Sequence, residues 1–151
     1  MISYVKGDLL GATQRVLVHG CNNHGVMGSG VARQIREKWP NVYEVYSLKH
    51  KVFGLELGDI IPVGTLDGKI IVNAVTQDGF GRDGSRYVDY DAIETCFRKI
   101  NDRVDVWEVA EVAMPRIGAG LGGGDWSIIE KIIVSTATNY RPVVYDYQAE
   151  P

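Results

Sequence analysis

Twice in this chain a run of branched apolar residues breaks into a glycine-rich loop, and that loop in turn opens a helix-like segment. "RVLVHG" leads through "GCNNHGVMGSG" into "GVARQIREKWP", and "EVAEVAMP" leads through "RIGAGLGGG" into "DWSIIEKIIVSTATNY". The two loops hold four and five glycines, nine of the 18 in the chain. Glycine gives up the most backbone entropy on ordering and adds no side-chain contact, so this concentration needs a compensating use. Strand, glycine loop and helix in that order are the parts of an open α/β sheet, in which ligands bind beyond the carboxyl ends of the strands. Two such loops are able to flank one crevice. A helix N-terminus carries about half a positive charge and glycine lets amides approach oxygen atoms closely, so a diphosphate between the loops needs no lysine.

The remaining segments fit the same architecture. "ISYVKGD" reads as a strand. In the helix from Gly30, Val31, Ile35 and Trp39 fall four apart on one face, and Pro40 bars continuation; a second short helix covers "NVYEVYSLKH". "LGDIIPVGTL" and "GKIIVNAVTQ" read as a strand pair around a turn containing Asp67-Gly68. The polar "DGFGRDGS" reads as a mobile loop. In "VDYDAIETCFRKINDRV", Ile93, Cys96, Phe97, Ile100 and Val104 recur at helical spacing, with Asp89 or Asp91 as the cap. "PVVYDY" closes the chain as a last strand. Strands alternating with helices predict a three-layer α/β/α sandwich around a central, mostly parallel mixed sheet, and 151 residues fit a single domain over 1–151.

Charge narrows the partners. A net charge of -3, with 16 Lys and Arg scattered along the chain, lacks the basic excess that a nucleic-acid polymer demands. No apolar run approaches the ~20 residues of a membrane span, and "MISYVKGDLL" has no secretory pattern. Cys21 and Cys96 are far apart and in no metal-ligand spacing, which suits a reducing interior. The expectation is a cytoplasmic monomer with a small-molecule ligand, without metal, cofactor or membrane.

Three phosphate-site signatures fail. "GAGLGG" satisfies the dinucleotide fingerprint, but only 28 residues follow Gly123, too few for the ribose-binding acid and further βα units of an NAD oxidoreductase. No Gly-Lys precedes Ser or Thr as in a P-loop. Cys21 has His19 two before it, yet Met27 stands where a cysteine phosphatase would need arginine.

Taken together, "VKGDLL", "VHGCNNHGVMGSGVA" and "MPRIGAGLGGGDW" resemble a macrodomain, the ADP-ribose-binding α/β/α fold, almost from end to end. The subgroup most similar is that of small ADP-ribose 1''-phosphate phosphatase-like proteins, with His-x-Cys-Asn in place of Asn-Ala-Ala-Asn. The resemblance implies that Asp8 accepts from the adenine amino group while the Leu9 amide meets the ring nitrogen; a guanine carbonyl would be repelled there. The alternative for Asp8, after Gly7, is a strand-end turn residue. By the same resemblance Asn22, beside Cys21 and Asn23, faces the distal ribose. Gly28, Ser29, Gly30 and Val31 form the first diphosphate loop, and Gly118, Ala119, Gly120, Leu121 and Gly122 the second. Trp126 or Tyr147 walls the ribose or adenine side, or belongs to the core.

Two departures bear on chemistry. One hydrolase class of macrodomains has an aspartate where this chain has Ala32. Another uses a lysine after the central strand and an aspartate directly after Gly-x-Gly-Leu, positions that read Thr76-Gln77-Asp78 and Gly122 here. The implied activity is hydrolysis of ADP-ribose 1''-phosphate to ADP-ribose and phosphate. The alternatives are a non-catalytic ADP-ribose-binding module and a de-ADP-ribosylating hydrolase. Such hydrolysis needs a positioned water and a proton acceptor, for which His19, His24 and Asp125 are the candidates. His19 also suits a structural role and Asp125 a helix cap. Arg82 and Arg86 are placed to close over a terminal phosphate or to stay solvated, and His50 carries no signal.

Overall fold

A computed structural model describes residues 1–81 and 83–146. It comprises β1 (Ser3–Lys6), β2 (Val16–Asn22), α1 (Gly30–Lys38), α2 (Pro40–Phe53), β3 (Ile60–Gly64), β4 (Ile70–Gln77), α3 (Tyr90–Trp107), β5 (Glu111–Met114), α4 (Trp126–Thr136) and β6 (Arg141–Asp146). The six strands form one sheet in the order β1-β6-β5-β2-β4-β3. Among the pairs of these described strands, β3–β4 alone is antiparallel, joined through the Asp67-Gly68 turn.

Strand alternation sorts the core into two layers. From β2, Val16 and Val18 pack with Ile93, Phe97 and Ile100 of α3 and with Ile129 and Ile133 of α4. Leu17 and Cys21, on the opposite face of β2, pack with Ile35 and Trp39 beside α1 and with Val42 and Tyr46 of α2. The result is the expected three-layer α/β/α sandwich. No helix among the described residues is long and apolar enough to cross a membrane.

Local chemistry sets the element ends. Pro40 not only stops α1 but starts α2, since proline's fixed φ and missing donor suit a first helical turn. That helix runs to Phe53, past the expected "NVYEVYSLKH", and ends at Gly54 with φ 76°. Asp89 caps α3, accepting from the Ala92 amide at 2.9 Å. The segment expected as one strand over "EVAEVAMP" is divided. Trp107, packed with Val104 in the core, still belongs to α3, Glu108 turns the chain with φ 57°, and β5 begins at Glu111.

Candidate functional site

A cavity of about 630 Å³ opens beyond the carboxyl ends of β2, β4 and β5, with the two glycine loops as facing walls. The first wall is shaped by Asn22, which is buried. Its Oδ1 accepts from the His24 amide at 2.9 Å, its Nδ2 donates to the Val26 carbonyl at 2.8 Å, and Tyr46 Oη donates to its backbone carbonyl at 2.6 Å. Gly25 (φ 76°) lets this turn lie against α2, where a Cβ would fall 2.7 Å from His50 Cδ2. The chain then enters α1 at Gly30, with Gly28 to Ala32 in the cavity wall. Ser29, the residue before α1, makes no side-chain cap to it. The first amides of α1 therefore lack the usual capping oxygen on the side that borders the cavity, an arrangement suited to an anion.

The second wall follows β5. Gly118 (φ 78°) is required by packing, since a Cβ there would lie 2.8 Å from Val88 Cγ2. Its carbonyl accepts from the Gly124 amide at 2.7 Å, and the Gly122 carbonyl accepts from the Tyr87 amide at 2.8 Å. Gly120 is different, for nothing lies within 4 Å of a Cβ placed on it and its φ is not positive.

Under the cavity, His19 of β2 sits opposite Asn73 of β4 and is 1% exposed. Asn73 donates its Nδ2 to the Ile61 carbonyl at 3.2 Å, so its Oδ1, 2.5 Å from His19 Nε2, accepts the imidazole proton. Burial pushes the His19 pKa down to about 4, and the ring is neutral at pH 7. Burial likewise drives the Cys21 thiol well above its ordinary range, which makes it an inert wall rather than a nucleophile.

The structure brings together at the cavity His19, Cys21, Asn22, both predicted glycine stretches with Ser29 and Val31, and Leu121. Several expected residues lie elsewhere. Asp8 is not in the lining; its Oδ1 accepts from the Leu10 amide at 3.0 Å and caps a short 3-10 turn, while Leu9 is buried in the core. Asn23 binds the loop after β4, through Nδ2 to Asp78 Oδ1 and Oδ1 from the Gly79 amide, both at 3.1 Å. Ala119 is outside the lining, between two glycines that belong to it. Asp125 is outside the lining and caps α4, accepting from the Ser127 amide at 2.9 Å and the Ser127 hydroxyl at 2.7 Å. Trp126 is drawn away by a hydrogen bond from Nε1 to Tyr4 Oη at 2.9 Å. His24 stands just outside the lining, 3.9 Å from Asp78 and edge-on to Phe80 with ring centroids 6.1 Å apart. Arg82 and Tyr147 lie outside the described residues, and Arg86 packs over the Tyr90 ring at 4.7 Å.

Sequence reasoning missed Met27, Gln77, Phe80 and Arg116, all in the lining. Arg116 was in plain sight in "MPRIG". Its guanidinium holds Asp146 at 2.7 and 3.0 Å and lies 5.3 Å from the Tyr4 ring, so its charge is already balanced. Among the described residues no lysine, aspartate or glutamate lines the cavity.

Known proteins share this family and fold. The Macro domain family model matches residues 18–133. The chain is 34% identical over 141 residues to the DNA ADP-ribosyl glycohydrolase of Mycobacterium tuberculosis, covering 89% of this chain but 38% of that protein. It is 29% identical to the ADP-ribose 1''-phosphate phosphatase of Candida albicans, covering 88% of this chain and 92% of that one. Among solved structures, the macrodomain of Mycobacterium tuberculosis DarG superposes with a TM-score of 0.84 at 31% identity, over 96% of this chain and 97% of the other.

Proposed function

The chain belongs to the Macro domain family, and on that premise we propose that it binds ADP-ribose between its two glycine loops and hydrolyses ADP-ribose 1''-phosphate to ADP-ribose and phosphate. The observation that carries this reading is the cavity itself. It is large enough for a dinucleotide-sized ligand, it meets the uncapped start of α1 on one side and open Gly120 on the other, and it has no unbalanced side-chain charge among its described lining. The diphosphate is held by backbone amides, which supply positive potential without a mobile cation. The near-complete overlap with the Candida albicans phosphatase supports the choice of reaction.

Strand order sets the direction of the ligand. Asp8 follows β1 and Arg116 follows β5, toward one end of the sheet, whereas Gln77 ends β4 toward the other. With adenine at Asp8, the distal ribose and its phosphate face Asn22 and Gln77. Of the three expected catalytic groups, His19 is buried with its Nε2 proton engaged and Asp125 is a cap, which leaves His24. In this reading His24, beside Asp78, takes a proton from a water whose oxygen bonds to the phosphorus; the bond between the phosphorus and the C1'' oxygen breaks, and His24 returns the proton to that oxygen, so that inorganic phosphate and ADP-ribose with its 1'' hydroxyl leave. The test is release of inorganic phosphate from ADP-ribose 1''-phosphate by purified protein. His24→Ala should lower kcat roughly 10²- to 10⁴-fold with ADP-ribose affinity retained. Phosphate release by the wild type at the uncatalysed rate would reduce the protein to a binding module.

A second reading, removal of ADP-ribose from a larger molecule, is favoured by the 34% identity to the mycobacterial glycohydrolase, of whose length this chain spans 38%. It would need a device other than a sugar–lysine adduct, because Thr76-Gln77-Asp78 stand where the resemblance puts the lysine and none of them forms such an adduct. We also propose a monomer of one domain in a reducing compartment, supported by the buried free thiols of Cys21 and Cys96; light scattering tests the first part.

A further inference from the structure

The His24 side chain is 55% exposed, and its ring meets Phe80 edge-on and Asp78 at 3.9 Å. A side chain that open takes its position from the backbone under it. That backbone is the turn from Asn22 to Val26, and it is built on α2. Tyr46 Oη donates to the Asn22 carbonyl at 2.6 Å, and Asn22 Oδ1 accepts from the amides of His24 at 2.9 Å and Val26 at 3.4 Å. Four residues beyond Tyr46, on the same face of α2, His50 lies under Gly25. A Cβ on Gly25 would fall 2.7 Å from Cδ2, 2.9 Å from Cγ and 3.3 Å from Cβ of His50, so the glycine backbone rests directly on the imidazole. Nδ1 of that ring is buried and has no hydrogen-bond partner among the described residues. An unpaired buried nitrogen is a cost, and what offsets it is the contact with Gly25 rather than a bond through that atom.

We propose that His50 is a positioning residue for the hydrolysis: its ring holds Gly25 in place and, through that backbone, sets the His24 imidazole against the attacking water. His50 is not in the cavity lining, so it acts through His24 and touches no ligand. The inference rests on the reading of His24 as the proton acceptor. A base displaced by about 1 Å costs on the order of 10²-fold in rate. The diphosphate wall is anchored separately, through the start of α1 at Gly30, so losing the support under Gly25 should slow the reaction without weakening the ligand. The sequence showed no signal at His50 because its partner lies in another segment, and a glycine has no side chain to mark the contact.

The experiment measures kcat and KM for phosphate release from ADP-ribose 1''-phosphate by wild type, His50→Ala, His50→Phe, His24→Ala and the double variant His24→Ala with His50→Ala. Thermal melting verifies each fold; His50 is half-buried near the end of α2 and alanine suits a helix, so His50→Ala should fold. His50→Ala should lower kcat roughly 10- to 100-fold with KM within about two-fold of wild type. His50→Phe, which keeps a flat ring and lacks the unpaired nitrogen, should recover kcat to within about three-fold of wild type. In the His24→Ala background, His50→Ala should change kcat by less than about two-fold, because the support has nothing left to position. A second measurement, hydrogen exchange of the His24 and Val26 amides, should show exchange at least roughly ten-fold faster in His50→Ala with the α3 amides unchanged. The proposal is overturned if folded His50→Ala keeps wild-type kcat, if its loss is as large without His24, if His50→Phe is no better than His50→Ala, or if the two amides exchange at the wild-type rate. A wild type that releases no phosphate would overturn the reading of the reaction, and exchange of the two amides would then decide by itself whether His50 holds the turn.

Discussion

The imidazole of His19 is enclosed against Asn73 and Cys21, and its pKa of about 4 sets a sign for the pH dependence of stability. Unfolded, the same ring titrates near 6.5. Between those values the unfolded chain binds the extra proton, so the stabilisation is complete above pH 6.5 and is lost as pH falls toward 4. The full effect is about 3 kcal/mol and about 2 kcal/mol of it is gone by pH 5. Denaturant unfolding should show wild type losing about that much more than His19→Gln between pH 7.5 and pH 5; equal losses would mean that the ring is not held neutral. Asp8 presents a different test, because one carboxylate oxygen caps the turn and, in the proposed site, the other accepts from adenine. Asp8→Asn retains an oxygen for the Leu10 amide, so it should melt normally while its preference for ADP-ribose over GDP-ribose falls roughly ten- to 100-fold. An unchanged preference would remove Asp8 from the adenine site. These residues were legible in sequence as polar groups at strand ends, but which oxygen is used and which ring is buried depends on partners such as Asn73, 54 positions away in the chain.

At the scale of the element, the second glycine loop divides into structural and open positions. Gly118→Ala forces a side chain into a positive-φ site and against Val88 and Ile129, so it should cost about 2 to 4 kcal/mol and lower Tm by about 5 to 15 °C. A melting temperature within a degree of wild type would show that the loop yields. Element existence was readable nearly throughout, because the 2.0 and 3.6 periods are carried by consecutive residues such as those of α3. The ends were not. Trp107 remains helical because its ring completes the α3 face in the core, and nothing local in "DVWEVAEV" says so. The loop after β4 was legible only as glycine-rich and polar. Its lining role comes from Asn23, a residue of another loop, and from Tyr87 packing on Gly81.

For the whole molecule, the order β1-β6-β5-β2-β4-β3 places β2 at the centre with β5 and β4 as its neighbours, which is why two loops distant in sequence become the walls of one crevice. Matching strand–loop–helix segments in the sequence already pointed to that pairing; the cavity's charge balance, set by Arg116 on Asp146, did not follow from them. The central claim is that this crevice holds the diphosphate of ADP-ribose by backbone alone, and Gly120 exposes it most directly. A side chain there meets open space and no backbone strain, so Gly120→Glu should fold and melt as wild type while its carboxylate occupies the phosphate site with a like charge. The measurement is calorimetric titration of ADP-ribose into wild type and Gly120→Glu side by side. Clear saturable binding by the wild type with at least a 100-fold loss in the folded variant is the predicted result, and equal affinities in the two proteins would contradict the account.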